Sequence, residues 1–265
     1  MKTIIILLVS VWAPTVVRAG DEPVTAVLAR RGDLILDDDG SIDRGGKQVA
    51  LLQRGTRVRM SVGRWNRSDA ERNVWRSTWK TGMGHVPVAA YQGIRARNLI
   101  VEVTFRYGPN TEPWHHQCFR IAADNRPDIT GHVVSAWANV DNDFIESGFL
   151  LQHIRKTPEK KIIEDLLMDR QPLSIESGKW YTAVLEVVDD EALFRMDGHV
   201  AWARSQRIRA PKNLVSITLG TTWHEIRRVR IWHAQPNPEW MSLKSDILAA
   251  RKPFKLKVHD YRKPK

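Results

Sequence analysis

Cysteine is nearly missing from this sequence. Cys118 is the only one among 265 residues, so no intrachain disulfide can form. Stability must then come from an apolar core, which a chain of this length can supply. The apolar run Ile4–Ala13 is shorter than the roughly 20 residues a bilayer-spanning helix needs, and Pro14 interrupts it, which argues against a membrane anchor. No Cys follows the run, which excludes a lipoprotein anchor. His-x-Glu-x-x-His and paired-cysteine patterns of zinc sites are absent, and Asp37-Asp38-Asp39-Gly40 lacks the spaced ligands and closing Glu of a calcium-binding EF-hand. No cofactor is expected. Calcium at that acidic turn and zinc at His115 and His116 are the disfavoured alternatives.

The formal charge is +11, but it is unevenly placed. Arg251–Lys265 carries seven Lys/Arg against one Asp, and Lys2 and Arg18 sit in the leader. Removing the tail's +6 and the leader's +2 from +11 leaves +3 for the body. The total therefore gives no reason to expect nucleic acid as a partner. The basic tail is expected to be disordered and able to touch anionic surface polymers.

What is present divides the chain into four parts. Residues 1–20 have a basic start, an apolar stretch and small residues at Val17-Arg18-Ala19, the layout of a cleaved secretory signal, so a secreted or periplasmic location is expected. Residues 21–236 alternate in the manner of strands. In Asn98–Tyr107, Leu99, Val101, Val103 and Phe105 share one face, and Ile100, Glu102, Thr104 and Arg106 share the other. From Gly178 to Ala234 the pattern is a meander of five strands, with a turn at Val188-Asp189-Asp190-Glu191 and an Asp197-Gly198 hairpin signal. Val24–Leu36 reads as an opening strand pair. Val49–Val62 and Trp65–Trp79 read as two strands around a polar insertion, and Lys156–Arg170 suits either a short helix or an extended excursion. Residues 237–250 read as a helix, with Asn237 as N-cap, Pro238 at the first turn and Trp240, Leu243, Ile247 and Leu248 as a docking stripe. Residues 251–265 form the basic tail. The fold class is all-β, an antiparallel sandwich.

Between Pro113 and His153 polar and aromatic residues interleave with short apolar strands, the composition of a binding cleft carried on a rigid sheet. Amides and carboxylates can bind vicinal hydroxyls, and an indole face covers the apolar side of a sugar ring. The candidate binding residues are Trp114, His115, His116, Asp124, Asn125, Trp137, Asn139, Asn142, Gln152 and His153. Trp223 and Glu225, on the connection Thr221-Thr222-Trp223-His224-Glu225, either complete the cleft from its other side or leave Trp223 plugging an edge of the sandwich. Asp143 and Glu146 are candidates for an acid and base pair of the kind glycoside hydrolysis needs, assisted by His224. Their plainer reading is a loop-capping Asp beside an exposed Glu. Eleven Trp serve both packing and sugar stacking, with packing the commoner role.

The run GKWYTAVLEVVDDEALFRMDGHVAWA followed by HEIRRVRIWHA resembles the closing half of a concanavalin A-like lectin/glucanase sandwich over Asn98–Ala234. The leader, the Trp content and the NPEW helix start further resemble secreted sandwich proteins of planctomycete-type bacteria near the 3-keto-disaccharide hydrolase-like domain. The resemblance implies a jelly-roll fold and a carbohydrate-related role, including glycoside cleavage. The Glu-x-Asp-x-x-Glu strand of family 16 glucanases is absent, so no catalytic residue carries over. Three functions follow as expectations: a glycoside hydrolase-like enzyme, a non-catalytic carbohydrate-binding module, and a cell-surface protein-interaction domain.

Overall fold

Strict alternation at one face and a covered opposite face set the strands. In Leu99–Tyr107 the inward residues Leu99, Val101, Val103, Phe105 and Tyr107 are fully buried, as alternation requires. The structure, a computed structural model, describes residues 22–42, 49–61, 63–79, 85–109, 118–126, 130–140, 148–157, 159, 161–220, 223–251 and 258–259. In chain order the strands are β1 (Ala29–Asp38), β2 (Val49–Leu51), β3 (Arg57–Ser61), β4 (Arg64–Arg67), β5 (Trp75–Thr78), β6 (Val88–Ala96), β7 (Leu99–Tyr107), β8 (Cys118–Asp124) and β9 (Thr130–Asn139). They continue with β10 (Gly148–Lys156), β11 (Ile162–Gln171), β12 (Trp180–Val188), β13 (Glu191–Met196), β14 (His199–Arg204), β15 (Lys212–Leu219), β16 (Trp223–Pro236) and β17 (Val258–His259). Helix α1 spans Trp240–Ala249.

The strands form two antiparallel sheets packed as a sandwich. Among the described residues one sheet has eight strands in the order β14-β13-β12-β7-β16-β5-β4, with β1 beside β16; the other has nine, β17-β11-β10-β9-β8-β15-β6-β3-β2. Strand β16 pairs with β7 along one side. Its other side pairs first with β5 and then, past a register shift between Ile226 and Arg228, with β1. The core lies between the sheets, where Phe105 stacks on Phe119 at 3.6 Å between centroids and Phe149 on Phe194 at 4.2 Å. Asp197 and Gly198 both take positive φ (46° and 80°), as a two-residue hairpin turn demands.

Several expectations need correction. Val24–Leu36 is not a strand pair: β1 is one strand with irregular register, and residues 22–28 run across the outer face of the eight-stranded sheet. Val49–Trp79 holds four strands rather than two, with β4 and β5 forming a hairpin. Lys156–Arg170 contains no helix among its described residues; β11 is extended because it finds β10 as an edge to pair with. Helix α1 starts at Trp240 with Glu239 as its N-cap residue, and Asn237 precedes it, accepting backbone N–H groups from Glu239 and Trp240. Within the tail expected to be disordered, Val258 and His259 pair with Leu166 and Asp165.

The outer face of the eight-stranded sheet is itself covered. Trp240, Ile247 and Leu248 of α1 and residues Ala26–Ala29 pack on Ile100, Val184, Leu193 and Trp232. Backbone N–H groups of Val27 and Ala29 donate to Glu186, and that of Val24 donates to Glu102. This cover explains why the polar face of β7, which alternation assigns to solvent, is buried at Glu102 and Thr104.

A candidate carbohydrate site on the nine-stranded sheet

In β8 the core takes Phe119, Ile121 and Ala123, which turns Arg120, Ala122 and Asp124 to the outer face. In β9 it takes Val134, Ala136 and Ala138, which turns Ser135 and Trp137 outward. The register sets Thr218, Arg120 and Trp137 side by side on β15, β8 and β9. Arg120 donates to Thr218 Oγ1 from Nη2 at 2.7 Å and Nε at 3.2 Å, and its guanidinium lies 4.8 Å from the centre of the Trp137 ring. Trp137 Nε1 donates to Gln152 Oε1 at 2.9 Å, and Gln152 Nε2 donates to Asp165 Oδ1 at 2.7 Å. A connected polar row thus crosses five strands, from β15 to β11. Its half-buried indole is fixed in orientation by its own N–H.

Histidine completes the row. Arg120 Nη1 lies 3.1 Å from His132 Nε2, and His132 Nδ1 lies 3.0 Å from Asp124 Oδ2. A guanidinium only donates, so Nε2 must accept and the ring proton sits on Nδ1, facing Asp124. Burial pushes the His132 pKa down, and Arg120 pushes it the same way against the pull of Asp124. A neutral imidazole between a guanidinium and a carboxylate follows. Simple alternation would turn His132 into the core, along with Val134. It reaches the outer face because β9 carries an extra residue there: Ser135 pairs with Gln152 and His132 with Ile154, three steps against two.

The candidate residues are distributed as follows. Asp124, Trp137 and Gln152 belong to this row. Asn125 lies at the end of β8, where Asn213 Nδ2 donates to its Oδ1 at 3.3 Å. Asn139 is buried at the end of β9. His153 is buried, with Nδ1 3.0 Å from the Val133 carbonyl; burial lowers its pKa. Trp114, His115, His116, Asn142, Asp143 and Glu146 lie outside the described residues. Arg120, His132, Asp165 and Thr218 were missed by sequence reasoning. Arg120 carried a usable signal, an arginine between Phe119 and Ile121 in an apolar strand, whereas His132 carried none because a bulge places it.

Thr221–Glu225 is not one connection. Trp223–Glu225 begin β16, so alternation separates them. His224 faces the core, fully buried, its ring 5.0 Å from that of Tyr107, and burial lowers its pKa to about 3. That places it as a neutral packing residue, away from any acid–base role at the sheet surface. Trp223 and Glu225 face outward on the eight-stranded sheet, the far side of the sandwich from Trp137, so they do not complete that cleft. There Arg76 covers the Trp223 ring at 4.7 Å, and Arg106 and Arg227 cover Trp180 at 4.6 and 4.0 Å. Glu225 binds Ser68 Oγ at 2.6 Å, Arg76 Nε at 2.9 Å and Arg106 Nε. Although burial raises the Glu225 pKa, these donors hold it below its usual value.

The acidic turn is spent internally: Asp37 pairs with Arg228, Asp38 accepts the Tyr91 hydroxyl at 2.9 Å, and Asp39 accepts from Ser41 N. Among the described residues no three His, Cys, Asp or Glu side chains converge as metal ligands. Among them, too, no helix is long and apolar enough to cross a membrane.

No family model matches the chain, and no curated protein matches it. Solved structures do. A Trypanosoma rangeli sialidase mutant displaying trans-sialidase activity aligns at TM-score 0.50 and 13% identity over 81% of this chain and 33% of that one, so this chain spans about a third of that protein's length. A Bacillus subtilis protein of unknown function with a galectin-like fold aligns at TM-score 0.48 and 10% identity, covering 79% of this chain and all of the other. A Bacillus subtilis carbohydrate-binding module aligns at TM-score 0.42 and 8% identity, covering 67% and 92%. At such identities the likeness concerns fold alone. The two antiparallel sheets are consistent with the concanavalin A-like lectin/glucanase architecture.

Proposed function

We propose that this protein recognises a carbohydrate on the outer face of the nine-stranded sheet, with a sugar ring set against Trp137. The observation that carries the reading is the half-buried indole held by Gln152 and flanked by Arg120, His132 and Asp124. An oriented aromatic among fixed polar groups is what a small polar ring with an apolar face requires. A fold shared with a sialidase agrees with this ligand class, although fold alone assigns no chemistry. Retention on a panel of immobilised glycans tests the reading. Wild type is expected to be retained on at least one, and Trp137→Ala to weaken that retention tenfold or more with the unfolding midpoint little changed. Equal retention of the two proteins on every glycan removes the reading.

Glycoside cleavage at this site is the finer form of the proposal. Asp143 and Glu146 fall in the connection between β9 and β10, the strands that carry Trp137 and Gln152. Glu146→Gln is expected to abolish turnover while keeping glycan retention. A 3-keto-disaccharide is the first substrate to assay, given the resemblance of the chain to that hydrolase-like group. Removal of residues 1–20 and export place the protein at its substrate; an N-terminus at Gly20 or Asp21 on protein recovered from outside the cytoplasm checks this.

A further inference from the structure

On the same sheet face, over β3, β6 and the start of β15, lies a groove of about 410 Å³ lined by Arg57, Arg59, Arg95 and Arg126 over a floor of Ala90 and Leu214. All four arginines are exposed, and among the described residues no carboxylate lines the groove and none of the four has an ion pair. Their positions are built. Arg57 and Arg59 share one side of β3, about 7 Å apart by strand geometry, and Arg57 Nε donates to Gln92 Oε1 at 2.7 Å. Asn213 clamps the backbone of Arg126, accepting its N–H at 2.9 Å and donating to its carbonyl. Arg95 comes from a bulge: Gln92 pairs with Leu214 and Ala96 with Lys212, four steps against two. Gly93 opens that bulge with φ +85°, and a Cβ there would lie 3.0 Å from the Gly55 carbonyl oxygen. Beyond Gly93 and Arg95 a second groove, about 540 Å³, continues to Arg54 and His233 and is lined by a carboxylate, Asp33, which ends the anion-attracting stretch there.

Four guanidinium groups held together without carboxylates repel one another until an anion enters. Each offers a planar fork that fits a carboxylate or sulfate with two hydrogen bonds. We infer that this groove binds an acidic polysaccharide, its carboxylate or sulfate groups resting on Arg57, Arg59, Arg95 and Arg126. The inference rests on the carbohydrate reading of the Trp137 face, which it extends from ligand type to ligand charge. The register Arg57–Gln92–Leu214–Asp124 makes the groove and the Asp124–His132–Arg120 group neighbours on one surface, so one extended glycan can touch both. No aromatic side chain lines the groove among the described residues, which disfavours single-stranded nucleic acid, whose bases need stacking partners.

The test compares binding of the full chain to polygalacturonate, dextran sulfate, uncharged dextran and duplex DNA at one ionic strength. The variants are Arg59→Gln/Arg126→Gln, Trp137→Ala and, as an exposed control elsewhere, Arg64→Gln. Binding to at least one acidic polysaccharide is expected, weakened tenfold or more in the double variant, unchanged in Arg64→Gln and reduced by salt. An unchanged unfolding midpoint in the double variant shows that the loss is not unfolding. Polygalacturonate against dextran sulfate tells carboxylate from sulfate. Equal binding by the double variant, or preference for DNA or uncharged dextran, overturns the inference. Acidic-glycan binding lost in Trp137→Ala and kept in the double variant overturns it while leaving the Trp137 reading intact. Acidic-glycan binding that follows the arginines and ignores Trp137 sustains the groove and removes the reading at Trp137.

Discussion

The outer face of the eight-stranded sheet and the groove over β3, β6 and β15 on the other sheet treat arginine in opposite ways. On the eight-stranded sheet Arg31, Arg76, Arg106, Arg195, Arg227, Arg228 and Arg230 each meet a carboxylate, and most also lie over an indole. On the nine-stranded sheet Arg57, Arg59, Arg95 and Arg126 line an open groove without such partners among the described residues. Paired guanidinium groups beside Trp223 and Trp180 finish a structure, because their donors and the ring faces are already engaged. Unpaired ones have most of their donors left to offer. Aromatic content and basic charge therefore mean different things on the two faces, and the Trp–Arg ladder, the richer cluster by composition, is the poorer candidate for a ligand site.

That contrast can be broken from either side. Glu225→Gln should produce the largest effect, since it strips Arg76 and Arg106 of a fully buried counter-charge. A loss of about 3 kcal/mol in urea unfolding is expected for breaking such a pair, and a loss below about 1 kcal/mol would make the ladder as dispensable as the open face. Gly108→Ala attacks the same ladder through its backbone. A Cβ there would run into the Trp223 carbonyl and come within 2.6 Å of its indole, so about 2 kcal/mol should be lost. An unchanged midpoint would show that Trp223 can move freely.

His224 sharpens the comparison from the interior of β16. Its folded pKa of about 3 lies below the usual 6.5, so the unfolded chain takes up the proton first. Stability is complete above the unfolded value and is lost as pH falls from 6.5 toward 3, by about 2 kcal/mol at pH 5. His224→Phe should flatten the unfolding profile across that window. The same slope in wild type and variant would mean that the imidazole is not held neutral in the core. The smallest effect belongs to the open face: Arg59→Gln should change stability by no more than about 0.5 kcal/mol, whereas Arg106→Gln on the closed face should cost about 2 kcal/mol, because it takes the charged donor from the buried Glu225 Oε2. Equal costs for the two would erase the distinction.

Much of this architecture is legible in residue order. Leu99, Val101, Val103 and Phe105 announce a core-facing strand, Asp197-Gly198 announces a hairpin, and Trp240, Leu243, Ile247 and Leu248 announce a docked helix face, of which Trp240, Ile247 and Leu248 join the packed cluster. Asp124, Trp137 and Gln152 were legible as candidates because they interrupt apolar strands. Trp223 and Glu225 were legible as unusual, with completing the cleft and plugging an edge both open, since grouping them on a loop ignored the alternation that begins at Trp223. The register puts them on the other sheet from Trp137 and removes the first reading.

The expected five-strand meander stops at β14, because β15 pairs with β6 and β8 in the other sheet and β16 pairs with β7. What the sequence by itself determined is the fold class, the β12–β14 meander, the helix after Asn237 and the polar character of the middle region. Each rests on local periodicity or turn chemistry, which neighbours a few residues apart settle among themselves. Only the tertiary structure decided which polar residues meet. The β9 bulge turns His132 to Asp124 and Arg120, the register sets Trp137 beside Arg120, and the β6 bulge brings Arg95 toward Arg57 and Arg59. The pairing that extends Ile162–Gln171 and the segment 22–28 that buries Glu102 and Glu186 are decisions of the same kind. Side-chain period fixes a face within one strand, but register and bulges between strands are set by packing across the whole sandwich, and there the site is assembled.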